Sequence, residues 1–67
     1  MNRRPVTSSN ISSIGWENGD MEVEYNSGHI YSFHEVPEAV YLQVVGAESV
    51  GREMNNLRGR YQSTRVK

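Results

Sequence analysis

The sequence predicts an α+β domain in which a three-stranded antiparallel β-meander is packed on one face by two C-terminal helices, in the order β-β-β-α-α. Two observations support this prediction. Apolar and polar residues alternate on both sides of an Asn18-Gly19 pair, which is typical of a β-hairpin. Two short segments with helix-capping signals and helical apolar spacing follow in the second half of the chain.

The first two strands are predicted on either side of the Asn18-Gly19 turn. Both residues of such a turn take a positive φ, which Asn and Gly tolerate best. A two-residue loop pairs Trp16 with Met21, and cross-strand partners share a face of the sheet. Glu22 and Glu24 then lie on the outer face. The face predicted to be apolar contains Ile14, Trp16, Met21, Val23 and Tyr25.

The second turn, Asn26-Ser27-Gly28, allows two registers. A two-residue loop pairs Tyr25 with Ile30 and leaves Tyr31 and Phe33 on the outer face, as an exposed aromatic pair. A three-residue loop, with its glycine in the left-handed region, shifts the pairing by one residue and buries the same two rings. We favour the second register because the first would place a serine and a histidine in the core.

The helices are predicted from their boundaries. Val36-Pro37-Glu38 indicates a helix start, because proline suits the first turn and a carboxylate suits the positive end of the helix dipole. Apolar residues continue this helix to Gly46 as its C-cap. Ser49 can cap a second helix, which Gly59 ends. The apolar face of the second helix, spaced i, i+4 and i+7, comprises Val50, Met54 and Leu57.

Domain organisation follows from length and composition. The 67 residues allow one domain, which we expect over residues 11–61, with a flexible arm at 1–10 and a polar basic tail at 62–67. The chain contains no cysteine, so a disulfide framework or thiolate metal site is excluded. No apolar run approaches the roughly 18 residues of a membrane span, and no signal-peptide pattern is present. We therefore expect a cytoplasmic protein without membrane contact.

Charge is distributed unevenly along the chain. Residues 11–48 hold seven acidic side chains and no lysine or arginine, whereas all seven basic residues lie outside this range. The net charge of -1 thus conceals an acidic body with basic ends. Such asymmetry indicates that the ends meet a polyanion or an acidic partner, or that they fold back and neutralise the body.

Catalytic and metal-binding signals are weak. His34-Glu35 resembles the start of a zinc-protease helix, but the second histidine is missing and Pro37 interrupts the segment. There is no nucleophile elbow and no cysteine nucleophile. We therefore expect a protein that is not an enzyme, with no catalytic residues, no metal ligands and no cofactor.

The basic C-terminal region favours nucleic-acid binding. Arginine forks suit phosphate oxygens, and a tyrosine ring offers a stacking face for an unpaired base. We expect a module that contacts RNA or single-stranded nucleic acid. The candidate nucleic-acid-binding residues are Arg52, Asn56, Arg58, Arg60 and Tyr61.

Two questions remain open at this point. The aromatic residues Tyr31, Phe33 and Trp16 are either stacking surfaces for a ligand or parts of the core, and the core interpretation is preferred. The alternative function is a protein-interaction or inhibitory module that binds no nucleic acid, for example a phage-encoded one that acts on a host protein. In either case a monomer or weak homodimer is expected.

Short motifs follow one another along almost the whole chain. They are Ser9-Asn10-Ile11, Ile14-Gly15, residues 21–25, Gly28, Tyr31-Ser32-Phe33, Val36-Pro37, Val40-Tyr41, Ala47, Ser49-x-Gly51 and residues 55–61. This ordered set resembles the KTSC domain, a family named for the C-terminus of some lysyl-tRNA synthetases that also occurs as free-standing bacterial and phage proteins. The family pattern Tyr-x-Tyr is here Tyr31-Ser32-Phe33, so one hydroxyl is absent. The resemblance implies a small α+β domain, and attachment to a tRNA enzyme implies RNA binding.

Overall fold

A computed structural model of the protein describes residues 2–67. Within this range the fold is α+β, with one antiparallel sheet of five strands in the order β1-β2-β3-β4-β5 and two helices. The elements are β1 Arg4–Pro5, β2 Ile11–Glu17, β3 Asp20–Tyr25, β4 Ile30–Phe33, α1 Glu38–Val45, α2 Val50–Leu57 and β5 Ser63–Arg65. The α+β class and the two helices are confirmed, but the prediction of three strands was wrong.

The two additional strands lie at the edges of the sheet. Arg4 is opposite Ile14 in the β1–β2 pair, and Arg65 is opposite Tyr31 in the β4–β5 pair. Both strands belong to the segments expected as an arm and a tail, and they extend the sheet beyond the expected domain of residues 11–61. They are only two and three residues long and every one of their residues is exposed, so they carry no apolar alternation that a sequence pattern could reveal.

The first hairpin has the expected geometry. Asn18 and Gly19 have φ angles of 51° and 90°, as a turn with two left-handed residues requires. Trp16 is opposite Met21 in the resulting register. Glu22 lies on the outer face of the sheet, opposite Gly15.

The second hairpin has the three-residue loop. Gly28 has φ 97°, its N–H donates to the carbonyl of Tyr25 at 2.9 Å, and the Tyr25 N–H donates to the carbonyl of His29 at 2.9 Å. Tyr31 therefore lies opposite Val23, on the face of the sheet that packs on the core. The preferred register is confirmed, and the alternative in which Tyr31 and Phe33 form an outer aromatic surface is wrong.

The core lies between one face of the sheet and the two helices. Val36 and helix α1 contribute to it, and α2 buries the three apolar residues spaced i, i+4 and i+7 as expected. Ser49 caps α2, since its Oγ accepts the N–H of Arg52 at 3.3 Å. The core residues are Ile11, Ile14, Met21, Val23, Phe33, Val36, Val44, Val50, Met54 and Leu57.

Trp16 packs on this core from the end of the sheet. Its ring is half-buried and stacks on Tyr41, with centroids 6.5 Å apart and planes at 23°. The indole Nε1 donates to the carbonyl of Val36 at 2.7 Å, so the polar atom of the ring is satisfied within the fold. These contacts identify Trp16 as a packing residue that ties β2 to α1.

The outer face of the sheet is crossed by the Arg3 side chain. Its Nε donates to Ser13 Oγ at 3.1 Å, and its Nη1 forms an ion pair with Glu22. Gly15 makes room for this arrangement, because a Cβ there would lie 2.7 Å from the Asn2 carbonyl oxygen and 3.1 Å from the Arg3 Cα. One basic end of the chain thus folds back on the acidic body.

Among residues 2–67, neither helix has the length and apolar character needed to cross a membrane.

Candidate functional site

An open cleft of about 590 Å³ lies between the second hairpin and helix α2. The turn of the second hairpin, strands β3 and β4 and the start of β5 line it. The C-terminal half of α2, its C-cap residue and the loop that precedes β2 complete the lining. The residues that line this cleft, called the tyrosine cleft below, are Asn10, Tyr25, Asn26, Ser27, His29, Tyr31, Phe33, Asn55, Arg58 and Ser63.

Asn26 joins two walls of the tyrosine cleft. Its Oδ1 accepts the Ser12 hydroxyl at 2.6 Å, its Nδ2 donates to the Ser9 carbonyl at 2.9 Å, and its own N–H donates to the Asn10 carbonyl at 2.8 Å. The hairpin turn is therefore tied to the loop before β2. Ser8 shapes the same loop, since its Oγ accepts the Asn10 N–H at 3.2 Å, a local bond typical of serine turns.

Two tyrosine rings form the aromatic wall of the cleft. Tyr25 and Tyr31 lie edge to face, with centroids 5.8 Å apart and planes at 86°. Burial raises the pKa of the Tyr25 hydroxyl above its usual value, Arg58 opposes this rise, and Tyr31 adds to it. The Tyr25 hydroxyl therefore keeps its proton at neutral pH and remains a hydrogen-bond donor. Arg58 lines the same cleft as the two tyrosines.

Helix α2 contributes Asn55, and Arg58, the C-cap residue of α2, follows three positions later on the same side of the helix end. Both residues are exposed. Within residues 2–67 their side chains make no hydrogen bond or ion pair with the protein. Their polar atoms are therefore free to meet a ligand in the cleft.

The charge of the cleft differs from that of the rest of the body. In the part of the chain that the structure describes, no Asp or Glu lines the cleft, although residues 11–48 hold seven of them. Arg58 is its permanently charged lining residue, and His29 is the other titratable base. The electrostatic character of the cleft thus favours a neutral or anionic ligand over a cationic one.

A second, more polar groove of about 310 Å³ adjoins the cleft and shares Asn10 and Asn55 with it. It lies between the loop before β2 and the start of α2. Arg52 supplies a positive charge here and Glu48 a negative one. The loop passes close to the start of α2, since a Cβ at Gly51 would make an ordinary van der Waals contact with Ser8 Oγ at 3.5 Å. Cleft and groove are thus neighbours that meet at two shared lining residues.

The structure brings only part of the expected nucleic-acid-binding set together. Arg58 lines the tyrosine cleft and Arg52 lines the adjoining groove. Asn56 and Arg60 are exposed but line neither, and Tyr61 is half-buried against the core. The alternative that arginines of this region pair with the acidic body is not seen within residues 2–67, where the arginine that forms an ion pair is Arg3, with Glu22.

Sequence reasoning missed Tyr25 and Asn55 as candidate site residues. The signal for Tyr25 was available in the three-residue register, which places it on the same face as Tyr31. The signal for Asn55 was its position three residues after Arg52 and three before Arg58, on one side of α2. What no local pattern showed is that the hairpin turn and α2 face each other.

A separate hydrogen-bonded chain lies on the outer face of the sheet. His34 Nδ1 is 3.1 Å from Asp20 Oδ1, and His34 Nε2 is 2.8 Å from Thr64 Oγ1. The three residue types are those of a nucleophile–base–acid triad, but none of them lines the cleft or the groove. Their contacts join β5 to β3 and β4, which is a structural role. Within residues 2–67 no group of three or more His, Asp or Glu side chains is placed to hold a metal ion.

Comparisons with known proteins agree with this fold. The family model of the KTSC domain matches residues 7–61. The chain belongs to the KTSC domain family. This KTSC domain is similar to the crystal structure of a KTSC domain protein from Yersinia pestis, with a TM-score of 0.94 and 29% identity over 98% of this chain and 97% of the other. It is also 36% identical over 59 residues to an uncharacterized protein of Stutzerimonas stutzeri (strain A1501), covering 85% of this chain and 83% of the relative.

The family match includes most of the tyrosine cleft. Residues 7–61 of the KTSC domain contain the loop before β2, the second hairpin and all of α2. Ser63, at the start of β5, is the cleft residue that lies beyond the match. The cleft is therefore built almost entirely by the part of the chain that defines the family.

Proposed function

We propose that this KTSC domain is a non-enzymatic module that binds RNA or single-stranded nucleic acid in the tyrosine cleft. One observation supports this most strongly. The cleft brings the Tyr25–Tyr31 pair together with the unpaired side chains of Asn55 and Arg58, and no carboxylate side chain of residues 2–67 lines it. We further propose that the domain acts in the cytoplasm, as a monomer or weak homodimer.

The physical argument begins with the aromatic wall. Stacking of an unpaired base on an aromatic ring contributes about 1–3 kcal/mol and does not depend on the identity of the base. An edge-to-face pair leaves at least one of its rings with both faces clear of the partner ring, so Tyr25 and Tyr31 do not block each other completely. A base is available for such stacking only when it is unpaired, which favours a single strand or a loop over a duplex.

The phosphate contact is assigned to Arg58. A guanidinium can donate two parallel hydrogen bonds to a phosphate, and Arg58 is exposed and has no carboxylate partner within residues 2–67. We assign a neighbouring phosphate to Arg52, because Arg52 lines the adjoining groove. Arg60 is a peripheral contact in this proposal, because it lies two residues from Arg58 but outside the lining of the cleft. Tyr61 acts mainly by packing on the core.

The proposal is tested by fluorescence-anisotropy titration. Labelled single-stranded RNA, single-stranded DNA, tRNA and duplex DNA are titrated with the purified protein at two salt concentrations. We expect saturable binding that is weakest for the duplex. The logarithm of the affinity should fall by roughly 0.7 per phosphate contact for each tenfold increase in salt.

Arg58→Gln and Arg60→Gln provide a matched pair for the same titration. Each removes one positive charge from an exposed position, and only the first changes the cleft. Arg58→Gln should weaken binding by about tenfold, whereas Arg60→Gln should weaken it by less than about threefold. Absence of binding by the folded protein at low salt contradicts the proposal. A nuclease-treated pull-down that retains one defined protein would then favour the protein-interaction alternative.

A further inference from the structure

We infer that the tyrosine cleft holds a single nucleotide unit, with its base against Tyr25 and Tyr31 and its one phosphate at Arg58. This inference rests on the proposed function, because it concerns the same cleft. It goes further by defining the ligand as one nucleoside monophosphate, either free or as an unpaired unit of a nucleic-acid chain.

The size of the cleft supports one unit. Its volume of about 590 Å³ falls within the range of roughly 300–1,000 Å³ typical of sites that enclose one small ligand. The two aromatic rings meet edge to face, with planes at 86°, so they are not parallel platforms for two successive bases. A longer strand would have to leave the cleft after one nucleotide and continue along the surface.

The free polar groups define how the base is held. Both polar atoms of the Asn26 side chain are already used, by Ser12 and Ser9, so this residue is a fixed part of the wall. The Asn10 and Asn55 side chains also line the cleft and make no hydrogen bond within residues 2–67. Each of these amides can both donate and accept, which matches the mixed donors and acceptors on the edge of a base.

The charges define how many phosphates are held. Among residues 2–67, Arg58 is the one permanently charged residue that lines the cleft, so one phosphate is neutralised there. A second phosphate would have to reach Arg52 in the adjoining groove, where Glu48 opposes it. The arrangement therefore favours a monophosphate, or one nucleotide of a chain, over a free di- or triphosphate.

Isothermal titration calorimetry on the full chain tests this inference. The ligands are the four ribonucleoside 5′-monophosphates, the matching nucleosides and ribose 5-phosphate. We expect a stoichiometry of one bound nucleoside monophosphate per protein chain. The nucleoside lacks the contact with Arg58 and ribose 5-phosphate lacks the stacking, so each should bind about tenfold more weakly or not at all.

Substitutions test which residues contact the phosphate and which contact the base. Arg58→Gln should weaken the monophosphate about tenfold and leave the nucleoside unchanged, because only the former carries the phosphate. Asn55→Ala should weaken the monophosphate and the nucleoside by the same factor. Arg60→Gln is the matched charge control, and it should weaken either ligand by less than about threefold because Arg60 lies outside the lining of the cleft. Circular dichroism spectra that match those of the unaltered protein establish that each variant is folded.

Competition against a labelled single-stranded RNA separates failure of this inference from failure of the proposed function. If the RNA binds and is sensitive to Arg58→Gln, but millimolar monophosphate neither binds nor competes, the one-nucleotide site is overturned and the proposed function stands. If neither RNA nor monophosphate binds, both are overturned. If ribose 5-phosphate bound as tightly as the nucleoside monophosphate, the cleft would contact only the phosphate. The placement of the base against Tyr25 and Tyr31 would then be overturned.

The length of the ligand distinguishes a free nucleotide from a nucleotide within a nucleic-acid strand. Affinity that rises from the monophosphate to a short single-stranded oligonucleotide, with increasing salt dependence, supports a unit within a chain. Affinity that is the same for both supports a free nucleotide. Both results support one nucleotide in the cleft.

Discussion

The rings of Tyr25 and Tyr31 meet edge to face, with centroids 5.8 Å apart, across a hairpin whose turn is set by Gly28. This contact exists because the three-residue loop pairs Tyr25 with His29 and so places both tyrosines on one face of the sheet. A shift of one residue would turn Tyr31 to the opposite face. The aromatic wall of the candidate site is thus a direct consequence of the turn register.

Substitution of two asparagines in the tyrosine cleft should have different effects, one on stability and the other on ligand binding. Asn26→Ala removes two side-chain hydrogen bonds, to Ser12 and Ser9, and should lower the free energy of unfolding by roughly 1–2 kcal/mol. Asn55→Ala removes no bond within residues 2–67 and should change stability by less than about 0.5 kcal/mol while weakening ligand binding. Urea unfolding and anisotropy titration measure the two effects. A stability loss for Asn55→Ala as large as that for Asn26→Ala would assign it a structural role.

The raised pKa of Tyr25 should be visible as a loss of stability at alkaline pH. The folded protein keeps the Tyr25 proton at pH values where the unfolded chain, with an ordinary tyrosine pKa near 10, has lost it. This contribution is complete below pH about 10 and is lost as pH rises from there through the raised pKa. Tyr25→Phe, which keeps the ring, should therefore show a shallower decline. Urea unfolding between pH 8 and 11 checks this, and identical profiles for the two proteins would contradict it.

Gly15→Ala should disturb the packing of the N-terminal segment on β2. The added Cβ would lie 2.7 Å from the Asn2 carbonyl oxygen, so the backbone of the N-terminal segment must move and the contact of Arg3 with Glu22 is weakened. We expect the free energy of unfolding to fall by about 1–3 kcal/mol. Gly59→Ala is the control, because a Cβ there meets nothing within 4 Å. Equal stability of the two variants would show that the N-terminal segment does not pack over Gly15.

His34→Ala should loosen the last strand. The imidazole joins Asp20 on β3 to Thr64 on β5, and loss of these two contacts should cost about 1 kcal/mol. Amide hydrogen exchange of Val66, whose N–H donates to the Ile30 carbonyl at 2.7 Å, should become faster. His29→Ala removes an exposed imidazole that makes no hydrogen bond within residues 2–67, and it should leave this exchange rate unchanged. An unchanged rate in His34→Ala would contradict the role given to His34.

Local signals were sufficient for the centre of the fold. The Asn18-Gly19 turn has the expected pair of positive φ angles, and Ser49 caps α2 as its residue type indicated. Gly28 has the left-handed conformation that the three-residue loop requires, and this loop fixes the register of the second hairpin. Each of these features depends on residues within a few positions of one another, so residue type and periodicity describe them well.

Long-range pairing was not predictable in the same way. Arg4–Pro5 pairs with β2 and Ser63–Arg65 pairs with β4, and both segments are short and exposed. The same limit applies to the candidate site. Arg58 was identified from its residue type, but Tyr25 is 33 positions away in the chain. The two residues line one cleft only because the sheet and α2 pack on the same core. Asn56 and Arg60, chosen for proximity in sequence, line neither depression.

Amide NMR spectra of the full chain, recorded during titration with a short single-stranded RNA, test the central claim most directly. We expect the largest shifts at the residues of the tyrosine cleft, above all Tyr25, Tyr31, Asn55 and Arg58. Residues of the outer face, such as Glu22 and Thr64, should stay unchanged. Saturable shifts on the outer face or along α1, with the cleft unaffected, would contradict the assignment of the cleft as the nucleic-acid-binding site.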